Sequence, residues 1–193
     1  MIVGIQESMI DYPDKMCVIL FTPQCSWSCT NCHNKKSLSR AKPIPRDRVM
    51  GYLKNSKPLI NHVTISGGEP TECIDLPVLV DEILKLDMSI KLDTNGTHPE
   101  VLVKLLPKLS VVAMDIKCSL TDKELYKSIT NGTDSDFNNV LKSVEILSDW
   151  CKQGGHLIFR TTLLDDRIDK EKTTESIKGY NCTQYVVQTD IIK

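Results

Sequence analysis

Met16-Cys17-Val18-Ile19-Leu20-Phe21-Thr22-Pro23-Gln24-Cys25-Ser26-Trp27-Ser28-Cys29-Thr30-Asn31-Cys32-His33-Asn34 joins a short apolar run to a loop that carries three cysteines. The run 16–21 is brief and rich in Val, Ile and Leu, the pattern of a strand buried on both faces of a parallel sheet. Similar runs recur at 62–66, 89–93, 111–117, 156–163 and 184–189. Helical patterns fill the intervals at 45–55, 76–86, 99–106, 137–151 and 169–178. In the second of these, Leu79, Val80, Ile83 and Leu84 form one stripe. In the fourth, Val140, Leu141, Val144 and Leu147 do the same, and Gly154-Gly155 supplies the stop. Strand and helix therefore alternate, which predicts an α/β fold with a parallel sheet and right-handed crossovers. A closed eight-fold barrel takes about 250 residues, and this chain has 193. An incomplete barrel or an open sheet is expected, with function gathered at the carboxyl ends of the strands in either case.

Composition narrows the class. The chain has 24 Lys+Arg against 25 Asp+Glu, a formal net charge of −1, with 40% hydrophobic and 25% charged residues. These values fit one soluble domain over residues 1–193 with a proper core, and exclude disordered, coiled-coil and collagen-like chains. Near-neutral charge removes the electrostatic case for a nucleic-acid partner. No basic segment followed by an apolar stretch opens the chain, and no apolar run approaches the ~18 residues of a membrane span. A cytoplasmic protein is expected, and in that reducing compartment eight cysteines point to metal binding rather than disulfides.

Cys25, Cys29 and Cys32 stand in a C-x3-C-x2-C arrangement at the carboxyl end of the first barrel strand. Thiolates are soft ligands suited to zinc or to iron–sulfur clusters. Structural zinc sites use four ligands in paired motifs, and no second pair follows here. Three thiolates on a four-iron cluster leave one iron without a protein ligand, an open position for chemistry. Cys17 reads as a core residue, Cys118, Cys151 and Cys182 as scattered thiols, and Cys73 as a neighbour of the next strand end.

The other strand ends are equally unusual. The second barrel strand ends in Ser66-Gly67-Gly68-Glu69-Pro70, where two glycines allow close approach of backbone to a ligand. The third ends in Asp93-Thr94-Asn95-Gly96, the fourth in Asp115-Ile116-Lys117, and the fifth contains Arg160. Charges in β-like runs are seldom buried unpaired, so these residues are either ion pairs at a barrel rim or groups that meet a ligand.

Together these motifs resemble the radical S-adenosylmethionine (SAM) superfamily, whose signature is C-x3-C followed by x-φ-C with an aromatic φ. The resemblance implies an incomplete (β/α)6 barrel of the radical SAM type. Gly67-Gly68-Glu69 is similar to the superfamily's Gly-Gly-Glu motif. Asp93-Thr94-Asn95-Gly96, Asp115-x-Lys117 and the segment 1–15 before the first barrel strand, with Asp11-Tyr12-Pro13-Asp14, resemble motifs of glycyl-radical-enzyme activating enzymes. Among these the resemblance is greatest to the activating proteins of anaerobic ribonucleoside-triphosphate reductase, although Asp14 stands where they have glycine. It implies that Cys25, Cys29 and Cys32 hold a [4Fe-4S] cluster and that Gly67, Gly68 and Glu69 lie along SAM. It further implies a monovalent cation at Asp93, Thr94 and Asp115, also placed against SAM. By the same resemblance Lys117 and Arg160 match basic residues that face SAM and serve catalysis, and Asp11 matches the acidic residue that meets the target peptide. Asn31 occupies the φ position, with His33 and Trp27 as alternative contacts for the adenine.

The activity so implied is reductive cleavage of SAM, with electrons from a flavodoxin- or ferredoxin-type donor, to make a glycyl radical on a partner enzyme. Two other readings are weighed beside it. One is a small-molecule radical SAM enzyme similar to 7-carboxy-7-deazaguanine synthase. The other is a non-catalytic metal-binding module, which leaves the Gly-Gly-Glu turn and the strand-end charges unexplained.

Overall fold

In the computed structural model, residues 2–30, 32, 34, 38 and 40–189 are described. The strands are β1 (Gly4–Tyr12), β2 (Lys15–Thr22), β3 (His62–Gly67), β4 (Ser89–Thr94), β5 (Val111–Asp115), β6 (His156–Leu163) and β7 (Gln184–Thr189). They form one curled half-barrel sheet in sequential order, with β2 to β7 parallel and β1 antiparallel to β2. The helices are α1 (Arg46–Ser56), α2 (Leu76–Lys85), α3 (Pro99–Leu105), α4 (Lys123–Thr130), α5 (Asp134–Lys152) and α6 (Lys170–Ile177). No helix among the described residues is long and apolar enough to cross a membrane.

Side chains alternate across a strand, so each strand serves two faces. Val18 and Leu20 of β2, Val63 and Ile65 of β3, Ile90 and Leu92 of β4, Val112 and Met114 of β5, and Leu157 and Phe159 of β6 join the helix-side core. Leu79, Val80 and Ile83 of α2 and Val140, Val144 and Leu147 of α5 complete that layer. The residues between them form the inner face. Its lower part is mostly apolar, built on Tyr12, Cys17, Ile19, Val111, Ala113 and Ile158, with Thr64 and Lys91 buried at the same level. Toward the carboxyl ends the same face turns polar, with Ser66, Asp93, Asp115 and Arg160. One alternation thus sets a dry floor beneath a charged rim.

Local chemistry ends the elements where the sheet needs them to end. Thr133 and Asp136 form a reciprocal capping box at the start of α5. Asp122 accepts from Leu125 N at 3.0 Å to start α4, and Asn131, left-handed at φ 54°, stops it. Asp14 holds φ 53° in the turn between β1 and β2. That is the conformation glycine adopts freely and aspartate tolerates, so the residue replacing glycine keeps the turn.

The six parallel strands match the expected runs closely, the fourth run stopping at Asp115 rather than 117. Two elements lay outside the expectation: the segment before the first barrel strand is itself a strand, β1, and α4 forms between the fourth run and the helix expected at 137–151.

Candidate active site

Cys25, Cys29 and Cys32 open onto a cavity of about 650 Å³ above the polar rim. Their loop is held from both sides. On one side, Ser28 N and Thr30 N donate to the carbonyls of Thr130 and Ile129 at 3.1 Å each, capping the end of α4. Asn131 Nδ2 adds a bond to Ser28 O at 2.7 Å. On the other side, Glu69 N donates to Gln24 O at 2.5 Å and Gly68 N to Thr22 O at 2.9 Å. Ser26 N donates to Glu72 Oε1 at 2.7 Å, and Asn34 Nδ2 to Gly67 O at 3.0 Å. Trp27 borders the cavity but is 6% exposed, edge-on to Tyr126 with centroids 6.1 Å apart. Asn31 and His33, the expected adenine contacts, lie outside the described residues.

The chemistry and shape of this loop fit an iron–sulfur centre with a fourth, external ligand. Three soft donors, Cys25, Cys29 and Cys32, line one cavity. Beside them, Gly67 has φ 115°, and a Cβ on Gly68 would lie 1.9 Å from Gln24 O. Only glycine lets this backbone pass beneath the cysteine loop. Although solvent reaches Cys25, desolvation by the atoms around its sulfur pushes the thiol up to about 12, against the lowering effect of the Trp27 backbone N–H. Metal binding therefore displaces protons from this loop.

Glu69 shows a use that its motif does not reveal. The residue is 1% exposed, and its carboxylate accepts from Thr71 Oγ1 at 2.5 Å, Thr71 N at 3.1 Å, Thr94 Oγ1 at 2.8 Å and Asn95 N at 2.6 Å. Burial raises its pKa, and those hydrogen bonds oppose the rise. The side chain ties the end of β3 to the end of β4. What remains directed to a ligand at this turn is chiefly backbone.

The strand-end charges form a chain across the inner face. Lys91 pairs with Asp93, and Asp93 also meets Ser66 Oγ at 3.0 Å and Arg160 NH1 at 3.2 Å. Arg160 reaches Asp115 Oδ1 through Nε at 3.0 Å and NH2 at 2.9 Å, and Lys117 Nζ meets Asp115 Oδ2 at 2.8 Å. Burial alone would raise both aspartates, but Arg160, with Lys91 at Asp93 and Lys117 at Asp115, holds them below the usual carboxylate range. Burial likewise opposes the charge on Lys117, and Asp115 and then Cys29 more than compensate. Lys117 and Arg160 thus line the cavity as cations paired with carboxylates, and Asp11, Glu69 and Asp165 line it as well.

Lys91 was not singled out from sequence, although its place two residues before Asp93 puts both on one face of β4. Thr94 borders the cavity with its hydroxyl engaged by Glu69 and by Gly96 N at 3.0 Å. Asp11 borders the cavity from β1, its carboxylate accepting from Ser8 Oγ at 2.5 Å. Gln6 of β1, Thr162 of β6 and Gln188 of β7 extend the lining to both edges of the sheet.

The profile of the Radical SAM superfamily matches residues 19–175. A protein of Methanocaldococcus jannaschii named "Putative glycyl-radical enzyme activating enzyme" is 31% identical over 189 residues, covering 94% of this chain and 75% of that protein. A "Probable GTP 3',8-cyclase" of Methanococcus aeolicus is 33% identical over 120 residues, covering 59% of this chain and 40% of that one. Among solved structures, Streptococcus suis SuiB bound to its precursor peptide SuiA superposes with a TM-score of 0.69 at 16% identity, over 89% of this chain and 38% of SuiB. TYW1 with a lysine-pyruvate adduct gives 0.63 at 17% identity, over 91% of this chain and 65% of that chain. The two structures share the fold.

Proposed function

This chain belongs to the radical SAM superfamily, and from that premise we propose that it is an activase which generates a glycyl radical on a partner enzyme. When bound, a [4Fe-4S] cluster and SAM supply the reductive cleavage and the hydrogen abstraction; the protein positions and shields them. In this reading Cys25, Cys29 and Cys32 hold the cluster. The backbone at Gly67 and Gly68 lies along the methionine part of SAM. Arg160 and Lys117 supply positive charge for its carboxylate, and a monovalent cation beside Asp93, Thr94 and Asp115 belongs to the same proposal. The mostly apolar floor beneath them excludes water from the reacting centre.

The observation that carries the activase reading is the extent of the cavity. It runs from Gln6 and Asp11 on β1 to Gln188 on β7, the two edges of the half-barrel. A site lined to both edges of an unclosed sheet has room for a loop of another protein. We assign Asp11 to contact that loop. The partner we favour is anaerobic ribonucleoside-triphosphate reductase, with a flavodoxin- or ferredoxin-type electron donor and a cytoplasmic setting. The match to the M. jannaschii protein over 94% of the chain supports the same class.

The matching stretch of the M. aeolicus protein favours a second reading, a radical SAM enzyme acting on a small molecule. One experiment separates the two. The protein is reconstituted anaerobically and incubated with SAM, dithionite and the reductase. The activase reading expects a doublet EPR signal on the reductase. Turnover of SAM with no radical on the reductase would overturn it in favour of another substrate.

A further inference from the structure

Asn95 lies in the loop after β4 and is 7% exposed. Its Oδ1 accepts from the Thr97 backbone N–H at 2.9 Å and from the Thr97 hydroxyl at 2.7 Å. A backbone N–H can only donate, so the orientation of the amide is decided: oxygen toward Thr97, nitrogen away from it. The Nδ2 so directed stands 3.9 Å from Cys25 Sγ, within reach of an N–H···S bond. The loop that carries it is firmly tied. Asn95 N donates to Glu69, Ser143 Oγ to Gly96 O at 2.7 Å, and Asn139 Nδ2 to Thr97 O at 3.0 Å. A Cβ at Gly96 would lie 2.2 Å from the Met114 methyl, so the loop sits directly on β5.

We propose that Asn95 is a positioning residue for the metal centre, its amide N–H donating to the Cys25 thiolate and raising the reduction potential of the cluster bound there. The inference rests on the cluster assignment made above and adds a role to a residue of the Asp-Thr-Asn-Gly motif that had none of its own. Reduction adds negative charge to the centre and its sulfur ligands. A donor aimed at a ligand sulfur therefore stabilises the reduced state more than the oxidised one. Removing the donor lowers the potential. Replacing it with a carboxylate, which keeps the acceptor for Thr97 but aims negative charge at Cys25, lowers it further.

The test uses the full chain, reconstituted anaerobically with ferrous iron and sulfide, in a potentiometric titration followed by EPR. Asn95→Ala, Asn95→Asp and Asn139→Ala are compared with the unmutated protein. Asn139→Ala loosens the same loop without removing the bond to Cys25. The expected result is a downward shift of the midpoint potential in both Asn95 variants, largest for Asn95→Asp, with Asn139→Ala at the unmutated value. Unshifted Asn95 variants carrying a full cluster signal overturn the proposal. So does an equal shift in Asn139→Ala, because loop packing then accounts for it. If Asn95→Ala does not load, Asn95→Asp is judged by the same criterion. An unmutated protein that forms no iron–sulfur centre overturns the cluster assignment itself, and is recognised before any variant is measured.

Discussion

Arg160→Met tests whether the charge chain is an electrostatic unit or a set of independent surface pairs. Arg160 bridges Asp93 at 3.2 Å and Asp115 at 2.9 Å, with side-chain exposures of 21%, 10% and 30% for the three residues. Removing one partner of a buried pair costs about 3–5 kcal/mol because a charge is left uncompensated. Each carboxylate retains a lysine, and Asp115 is partly wet, so the lower end, about 3 kcal/mol, is expected. For a chain of this size that is a fall in Tm of roughly 6–12 °C. Thermal unfolding of the metal-free protein by circular dichroism measures it. The pH dependence carries a sign as well. Asp93 and Asp115 are held below the usual range when folded, so their stabilisation is present above the unfolded value of about 3.9 and is lost as pH falls. Arg160→Met flattens that acid-side loss. Arg160→Lys recovers only part of the stability, since one ammonium lacks the fork that spans two carboxylates. A cost under about 1 kcal/mol, typical of exposed pairs, with an unchanged acid limb, would mean that these are independent surface pairs.

Substitutions at three further positions probe the frame around the site. Gly68→Ala puts a Cβ 1.9 Å from Gln24 O; about 1–3 kcal/mol of destabilisation and loss of SAM binding by isothermal titration of the reconstituted protein are expected. Glu69→Gln turns one buried acceptor into a donor against Thr71, Thr94 or Asn95, costing about 1–3 kcal/mol in urea unfolding. Asn131→Ala loses the bond to Ser28 and strains a residue at φ 54°, whereas Asn131→Gly loses the bond alone. Ala is expected to unfold about 1 kcal/mol more easily than Gly, and both to retain less iron after gel filtration.

The sequence announced the parallel strands because a strand covered on both sides is a short run of Val, Ile and Leu. Residues 156–163 and 184–189 needed no adjustment at all. β1 was less legible as a strand because it lies at an edge, with Met9 78% and Ile10 91% exposed and polar residues at Gln6, Glu7 and Ser8. α4 is only two turns long, yet Asp122 followed by Leu125, Tyr126 and Ile129 was a readable cap and stripe. The cysteine loop, the Gly-Gly turn and the strand-end charges were identifiable from residue type and position. Their connections were not. Asp115 meets Arg160 because β5 and β6 pair in one register, and a shift of one residue would turn the two to opposite faces. The buried carboxylate of Glu69, the pairing of Lys91 and the approach of Asn95 to Cys25 likewise depend on directions that side chains take only after the strands are aligned.

In the proposed function the cavity above the polar rim binds an iron–sulfur cluster through Cys25, Cys29 and Cys32 and SAM through the groups beside it. Metal analysis joined to an anaerobic SAM-cleavage assay tests it most directly. Iron and sulfide are expected in the reconstituted protein, with release of 5′-deoxyadenosine and methionine after reduction, and loss of both when any of the three cysteines is changed to alanine. Zinc as the sole bound metal, with no 5′-deoxyadenosine formed, would contradict it.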